Sequence, residues 1–372
     1  MSHTPAADLA DRLARARQYA ADLGIGALVV SPGPDLRYLI GYDAVPLERL
    51  TALVIPAHGD PLMVVPLLER PAALASPAGE LGIDVLSWGE TDDPYALVAS
   101  TLPGVASVAV DNRMWAEKAL RLRAAMPSVE QRLAGEVINH LRMRKTPSEV
   151  ASLQRAGAAI DSVHASVTQW LRAGRTEREV GRDIADAILA AGHVSVDFVI
   201  VASGPNGASP HHEVSDRVIE RGDAVVVDIG GTMPDGYCSD ETRTYAVGTP
   251  SDEFLAAYEV LQRSQAAAVA HVRPGVACES IDAVARGILS DAGLGDLFIH
   301  RTGHGIGLET HEEPYIVSGN ATLLEAGFAF SIEPGFYLAG VHGARIEDIV
   351  VCGDTGPILM NARPRELVMV GE

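Results

Sequence analysis

A chain of 372 residues is too long for one ordinary core, and 47% apolar with 21% charged residues is the composition of a folded, soluble globular protein. The net charge of -20 argues against nucleic acid or anionic membranes as partners, because both require a basic surface. No apolar run approaches the roughly 18 residues needed to cross a membrane. We therefore expect two domains, or one small domain joined to a larger one.

The N-terminal stretch MSHTPAADLADRLARARQYAADLG is amphipathic and lacks the basic head and apolar middle of a signal peptide. Three cysteines, Cys238, Cys278 and Cys352, lie far apart and form no CxxC pair. This usage fits a reducing compartment and predicts neither a disulfide framework nor a thiolate zinc site. We expect a cytoplasmic protein.

Residues 1–142 are predicted to form a small α/β domain. A first helix is followed by the apolar segments GALVVS, TALVIP, PLMVVP and ASVAVD, each bounded by Gly, Pro or Asp. A long helix then opens, with Thr146 as N-cap, Pro147 at the first helical position and Glu149 completing a capping box. We place the domain boundary just before this helix, near residue 142.

Beyond the boundary the pattern of elements changes. The predicted order begins with helices at about 147–172 and 177–191, the second capped by Thr176 and Glu179. It continues with the strand DFVIVASG, two strands between Asp228 and Val247, a helix from Thr249-Pro250 to before Pro274-Gly275, a helix at about 279–292, and the strand pair AFSIEPGFYLAGVHGARIEDIVV. Two helices followed by a strand pair, twice over, is the pattern of an internal duplication.

Two predicted hairpins of similar design each carry two acidic residues. Asp228 ends the apolar run AVVVDI. Asp240 returns in the alternating strand CSDETRT, on the same strand face as Thr242 by the two-residue period. Glu333 ends the run AFSI, and Glu347 returns in ARIEDIVV. If the two halves pack together, four carboxylates converge with a charge of about -4, which two divalent ions would balance. Oxygen-rich ligands favour an ion such as manganese, with cobalt and zinc tolerated where imidazole joins.

Imidazole is available in HRTGHGIGLETHEEP. His304 lies between two glycines that permit close backbone approach, and His311 follows in a polar turn. Each residue also has a simpler structural interpretation: a strand-end Asp commonly forms a turn, a His between glycines is commonly a loop residue, and Arg345 beside Glu347 fits a cross-strand ion pair. The combination of two acidic hairpins with GHG between them favours a dinuclear metal site.

The motifs DIGG, SDETRT, PHH, GHGIG followed by ETHE, IEPG and RIED resemble those of the pita-bread metallopeptidases, which include methionine aminopeptidase, aminopeptidase P and prolidase. The resemblance covers about residues 143–365. The N-terminal part, with LRYLIGY, resembles the smaller creatinase-type domain of the proline-directed members. The resemblance implies an α+β homodimer, with a creatinase-like α/β domain over residues 1–142 and a catalytic pita-bread domain over residues 143–372.

The resemblance also implies site residues. The implied metal ligands are Asp228, Asp240, His304, Glu333 and Glu347. Asp240 and Glu347 would bridge both ions. Asp228 would complete the coordination shell of one ion, and His304 with Glu333 would complete that of the other. The implied catalytic residues are His211, His311, Glu333 and Arg345. His211, preferred to His212, would lie on the substrate side, His311 would contact the scissile carbonyl, and Arg345 would orient the bridging carboxylates.

One departure from the family pattern is visible. The interval from Asp228 to Asp240 is one residue longer than in most members, and we expect the extra residue to be confined to the turn in GTMPDGY. Creatinase has the fold without the metals, and related domains in histone chaperones lack the catalytic residues. Here all five ligand positions hold the expected residue types, which favours an active enzyme.

The function implied is hydrolysis of the Xaa-Pro bond of dipeptides by a metal-bridging hydroxide, with Glu333 moving the proton. The reaction would require two divalent metal ions, of which Mn²⁺ is preferred and Co²⁺ or Zn²⁺ are alternatives. An X-Pro bond has no N–H, so ordinary peptidases discriminate against it. At 372 residues the chain is nearer the compact dipeptidases than the longer aminopeptidase P enzymes. The alternatives are an Xaa-Pro aminopeptidase for longer peptides and a non-catalytic peptide-binding protein of the same fold.

Overall fold

The computed structural model describes residues 4–371. The first three residues of the amphipathic N-terminal stretch and Glu372 therefore lie outside the described residues. The chain divides into two compact units, one up to Arg142 and the other from Met143. Within the described residues no helix combines the length and the apolar character needed to cross a bilayer. The three cysteines are buried and free.

The first unit is built on a mixed six-stranded sheet. Its strands are β1 (Ala27–Val30), β2 (Ala52–Pro56), β3 (Leu62–Pro66), β4 (Asp84–Trp88), β5 (Ser107–Val110) and β6 (Glu130–Leu133). Its helices are α1 (Ala6–Asp22), α2 (Pro34–Ile40), α3 (Arg70–Ala75), α4 (Pro77–Glu80), α5 (Pro94–Ser100), α6 (Ala116–Ala125) and α7 (Gly135–Met143). The strand order is β4-β3-β2-β1-β5-β6. The four apolar segments predicted as strands form β1, β2, β3 and β5.

The second unit carries the predicted hairpins. Its helices are α8 (Pro147–Trp170), α9 (Glu177–Ala190), α10 (Asp252–His271) and α11 (Cys278–Asp291). Its strands are β7 (Ser195–Ser203), β8 (Ala224–Thr232), β9 (Glu241–Val247), β10 (Gly303–Gly305), β11 (Glu312–Ile316), β12 (Ala329–Ile332), β13 (Gly335–Leu338), β14 (His342–Arg345), β15 (Asp348–Cys352), β16 (Pro357–Leu359) and β17 (Val368–Val370).

In the first half of this unit, α8 and α9 pack on the sheet β17-β9-β8-β7. Both helices begin at capping boxes, as the sequence predicts. The Thr146 and Thr176 side chains accept from the backbone N–H groups of Glu149 and Glu179. The carboxylates of these two glutamates accept in turn from the backbone N–H groups of the two threonines. Apolar residues from the inner faces of the helices and from β8 and β9 form one buried core.

The second half repeats this plan. Helices α10 and α11 share a buried core with the sheet β11-β10-β12-β15-β16 and with the β13-β14 hairpin. Helix α10 begins at Asp252 instead of at Thr249-Pro250, because the side chain of Ser251 caps it by accepting from the backbone N–H of Phe254. The predicted helix start is therefore wrong by two residues.

A second correction concerns Asp228, which lies in the middle of β8 and not at the end of a strand. The strand continues because the glycines after Asp228 suit close packing. A Cβ atom at Gly230 would lie 2.5 Å from the ring of Phe198 on β7, and one at Gly231 would lie 2.6 Å from the carbonyl oxygen of Ser195. Glycine thus lets β8 continue against β7 beyond the predicted end of the strand.

Candidate active site

The β8-β9 hairpin supplies the first two carboxylates. Asp228 is the fifth residue of β8 and lies opposite Thr242 of β9, and Asp240 directly precedes β9. A turn between the strands is closed by the backbone N–H of Gly236, which donates to the carbonyl of Met233 (2.8 Å). Both carboxylates line the same cavity, so the length of this turn does not separate them.

The second carboxylate pair comes from the other half of the unit. Glu333 follows β12 directly, and Glu347 lies between β14 and β15. The Glu347 backbone N–H donates to the Thr242 carbonyl (3.1 Å), and the Thr242 hydroxyl donates to Glu347 Oε2 (2.7 Å). Thr242 shares the strand face of Asp240 by the two-residue period, and it joins the two hairpins at their carboxylates.

His304 is the central residue of β10 and sits where its neighbours must be glycine. A Cβ atom at Gly303 would lie 1.9 Å from the carbonyl oxygen of Ser331, and one at Gly305 would also collide with backbone. The His304 backbone N–H donates to Ser331 Oγ (3.0 Å), and that hydroxyl donates to Glu333 Oε1 (3.0 Å). Ser331, which the sequence analysis did not single out, therefore connects the histidine to a carboxylate.

The five predicted ligand residues line one cavity of about 920 Å³. His304 Nε2 lies 3.2 Å from Glu333 Oε1 and 3.7 Å from Asp240 Oδ2. Asp240, His304 and Glu347 each offer one ligand atom within 4.8 Å of the others. Among the described residues, nothing hydrogen bonds to the buried Oδ1 of Asp228. Atoms able to ligate a metal ion therefore converge at this end of the cavity.

The electrostatics show that four charged carboxylates do not fit here unaided. Burial raises the pKa of Asp240 and Glu347 well above the usual range, and neighbouring carboxylates raise both further. Burial also raises the pKa of Asp228. Burial alone would raise the pKa of Glu333, but the hydrogen bond and charge of His304 hold it at about 2. The buried Asp228 Oδ1 lacks a hydrogen-bond partner within the described part of the chain and lies among closely spaced carboxylates and the imidazole of His304. This set of ligand atoms is suited to divalent cations.

Arg345 is fully enclosed and holds one of these carboxylates. Its Nη2 donates to Asp228 Oδ2 (2.5 Å), its Nε to Thr242 Oγ1 (3.1 Å) and its Nη1 to the hydroxyl of Tyr337 (2.7 Å). The ion pair that the structure shows is thus with Asp228 on β8, and not the simple cross-strand pair with Glu347. Tyr337 was missed at the sequence level because an aromatic residue in a strand gives no functional signal.

The predicted histidines have different surroundings. The His311 ring lies 4.0 Å from the His304 ring. His311 is exposed to the cavity, but its ring is partly enclosed by the surrounding protein. This partial burial, followed by the neighbouring His304, lowers the pKa of His311 to about 4. His211 is exposed and lines the cavity, whereas His212 Nε2 lies 2.8 Å from a carboxylate oxygen of Glu177. These positions favour His211 as the histidine open to a ligand.

Glu177, the first residue of α9, is fully buried and gathers hydrogen bonds from the loop that carries His211. The donors are Ser203 N and Oγ (2.8 and 2.7 Å), Asn206 Nδ2 (3.0 and 3.1 Å to the two oxygens), His212 Nε2 (2.8 Å) and Ser215 N and Oγ (3.2 and 2.6 Å). Burial would raise the pKa of Glu177, but these donors hold it at about 2. Glu177 gives no functional signal in the sequence, because acidic residues are common in the first turn of a helix.

Apolar side chains form another part of the cavity wall. Phe198 and Ile200 of β7 and Val214 of the following loop line it. The Phe198 ring packs where Gly230 has no side chain, which links the double glycine of DIGG to the shape of the cavity. A cavity with an acidic, metal-compatible end and an apolar wall suits a small, partly apolar ligand.

Comparisons with known proteins match both parts of the chain to protein families. Residues 151–354 match metallopeptidase family M24, and residues 12–144 match the creatinase/prolidase N-terminal domain. The chain is 53% identical over 362 residues to the probable dipeptidase PepE of Mycobacterium tuberculosis, covering 97% of this chain and 96% of that protein. It is 37% identical over 355 residues to the Xaa-Pro dipeptidase of Lactobacillus helveticus, covering 92% and 93%.

A solved structure is also similar over its whole length. The crystal structure of dipeptidase PepE from Mycobacterium ulcerans superposes with a TM-score of 0.97 at 53% sequence identity, and the match covers 100% of both chains. At that similarity the two proteins share the same fold.

Proposed function

The chain belongs to metallopeptidase family M24, and from this premise we propose that it hydrolyses the Xaa-Pro bond of dipeptides with the help of two divalent metal ions. It is a peptidase of that family, with a creatinase-type N-terminal domain followed by an α+β pita-bread domain. The observation that carries the finer proposal is the convergence of Asp228, Asp240, His304, Glu333 and Glu347 on one cavity, with an orphaned carboxylate oxygen among them.

Those five side chains would hold the ions. Carboxylate oxygens with one imidazole favour manganese, with cobalt or zinc as alternatives. When bound, two divalent cations supply the charge that balances the carboxylates, and they acidify water enough to make it a nucleophile near neutral pH. Arg345 would fix the orientation of Asp228, because its guanidinium holds one oxygen of that carboxylate and leaves the other free.

Glu333 and His311 would carry out the proton and charge chemistry. The Glu333 carboxylate accepts from the Ser331 hydroxyl and lies beside His304, so it can take a proton from the attacking water and pass it to the leaving nitrogen. His311, whose pKa is about 4, is a neutral imidazole near neutrality and can donate its N–H to the carbonyl oxygen as negative charge develops. One well-placed donor of this kind contributes about 3 kcal/mol to transition-state stabilisation. His211 would contact the substrate from the loop side.

Three considerations support an Xaa-Pro dipeptide as the substrate. A related protein is named an Xaa-Pro dipeptidase and another a probable dipeptidase, and the match with each spans more than nine tenths of both chains. The apolar wall formed by Phe198, Ile200 and Val214 suits a pyrrolidine ring. An X-Pro bond has no N–H, so binding it leaves no backbone donor to satisfy. The alternative is an Xaa-Pro aminopeptidase for longer peptides.

The proposal is tested by hydrolysis of an Xaa-Pro dipeptide and of a tripeptide with proline second, after chelation and after readdition of Mn²⁺. We expect metal-dependent release of proline from the dipeptide and much slower cleavage of the tripeptide; efficient tripeptide cleavage would favour the aminopeptidase. Glu333→Ala and His304→Ala should each abolish turnover while the protein stays folded. Glu325→Gln, a change in an exposed ion pair outside the cavity, should leave turnover unchanged.

A metal-loaded protein that hydrolyses no X-Pro peptide would favour a non-catalytic peptide-binding protein. A homodimer and a cytoplasmic location belong to the same proposal. The buried, free state of the three cysteines is consistent with a reducing environment. Sedimentation of the purified protein would give its oligomeric state.

A further inference from the structure

Three arginine side chains line the cavity of the proposed active site, and two of them are already paired with carboxylates. Arg345 bonds to Asp228 at 2.5 Å, deep in the wall. Arg178 bonds to Asp216 at 2.7 Å, in an ion pair whose two side chains are 42% and 82% exposed. Neither charge is left over for a ligand without breaking an existing ion pair.

The third arginine, Arg301, is different. It is half-buried, and its guanidinium carbon lies 4.2 Å from the centre of the Tyr315 ring. Within residues 4–371 no carboxylate forms an ion pair with its side chain. Stacking occupies a face of the guanidinium and leaves the N–H groups on its edge free, which is the geometry that binds a carboxylate through two parallel hydrogen bonds.

Arg301 also lies beside the reacting end of the cavity. It comes three residues before His304 in the segment that leads into β10, and its side chain lines the same cavity as those of His304 and His311. The cavity therefore has two chemically opposite regions: four clustered acids that suit metal ions, and an unpaired guanidinium. A dipeptide has the same polarity, because its ammonium and carboxylate groups are separated by only two residues, roughly 7 Å of extended chain.

We infer that Arg301, held by stacking on Tyr315, binds the free α-carboxylate of a dipeptide substrate and thereby selects dipeptides over longer peptides. This inference rests on the proposed peptidase function and adds its specificity determinant. In a longer peptide the same position holds a neutral amide and further chain. Such a peptide therefore loses a charge-assisted hydrogen-bonded pair and leaves the guanidinium without an anionic partner.

The test compares an Xaa-Pro dipeptide with its C-terminal amide, using Mn²⁺-loaded protein. A charge-assisted pair predicts that wild type prefers the free acid by about 10- to 100-fold in kcat/KM. Arg301→Gln should raise KM for the dipeptide by a similar factor, change kcat little, and leave the kinetics of the amide unchanged. Arg301→Lys should recover part of the preference, because a lysine keeps the charge but not the planar pair of donors.

Tyr315 supplies the matched pair of variants. Tyr315→Phe keeps the ring under the guanidinium and should behave as wild type, whereas Tyr315→Leu removes it and should weaken the preference for the free acid. Calorimetric binding of L-proline gives a readout that needs no turnover: wild type should bind the amino acid at least about tenfold more tightly than Arg301→Gln.

An Arg301→Gln variant that keeps the wild-type preference for acid over amide, or the wild-type affinity for L-proline, would overturn the inference while leaving the proposed function intact. A metal-loaded wild type that cleaves neither the dipeptide nor its amide would instead overturn the proposed function, and the inference with it.

Discussion

Glu177→Gln should loosen the loop that carries His211, although residue 177 does not line the cavity. The buried carboxylate accepts from two backbone N–H groups and from the side chains of Ser203 and Ser215. A glutamine keeps one accepting oxygen, so at least one buried N–H would face an amide donor. Hydrogen bonds to a charged group contribute about 1.5–3 kcal/mol each, and a stranded donor costs a similar amount, so we expect a loss of about 3 kcal/mol.

The pKa of Glu177 gives a second route to this magnitude. Lowering the pKa of this carboxyl group from 4.5 to about 2 on folding corresponds to roughly 3 kcal/mol of stabilisation of the folded protein. Because the folded-state pKa is depressed, this stabilisation is present in full above pH 4.5 and is lost as the pH falls towards 2. The difference between wild type and Glu177→Gln should therefore be largest near neutrality and should shrink in acid.

Urea unfolding at several pH values measures this difference, and dipeptide hydrolysis reports the position of His211. For a unit of this size we expect the midpoint of thermal unfolding to fall by roughly 6–12 °C, together with a lower kcat/KM. Glu179→Gln is the matched control, because it changes an exposed glutamate of the same helical turn to a residue that also completes a capping box. If the two variants unfold alike and hydrolyse alike, the loop does not depend on Glu177.

Two further predictions concern close packing and pH. Gly303→Ala should lower the free energy of unfolding by about 1–3 kcal/mol and weaken metal binding, because the added Cβ would lie 1.9 Å from the Ser331 carbonyl oxygen. Gly287→Ala on α11 is the control, because no atom lies within 4 Å of its added Cβ. In the same urea and metal titrations it should be neutral or stabilising. His164 is neutral in the folded protein, because burial and the charge of Arg243 lower its pKa to about 3. In the unfolded chain the same side chain is protonated below about pH 6.5. The free energy of unfolding should therefore decrease below pH 6.5, by up to roughly 5 kcal/mol near pH 3. His164→Gln should flatten this dependence between pH 6.5 and 4, and unfolding curves with an unchanged pH dependence would refute the assignment.

The elements that depend on local rules could be predicted from sequence. Helices α8 and α9 begin at Thr146 and Thr176 because a capping box is decided within four residues. The two-residue period placed Thr242 on the strand face of Asp240. The glycines beside His304 indicated close approach, and the structure has backbone oxygens where their side chains would be.

What escaped prediction depends on distant contacts. Asp228 was predicted to end a strand because the apolar run AVVVDI ends there, and only the packing of Phe198 from a separate strand explains why β8 continues. The partner of Arg345 is likewise on another strand, since Asp228 is 117 positions away in the chain. Glu177 resembles any acidic residue of a first helical turn until the loop that folds over it is seen.

The most direct test of the central claim is titration of chelated protein with Mn²⁺ while hydrolysis of an Xaa-Pro dipeptide is recorded. Five ligand side chains with four carboxylates predict that hydrolysis is absent without metal and reaches its plateau at two ions per chain. Full hydrolysis by the chelated protein, or a protein that binds no metal at all, would contradict the account.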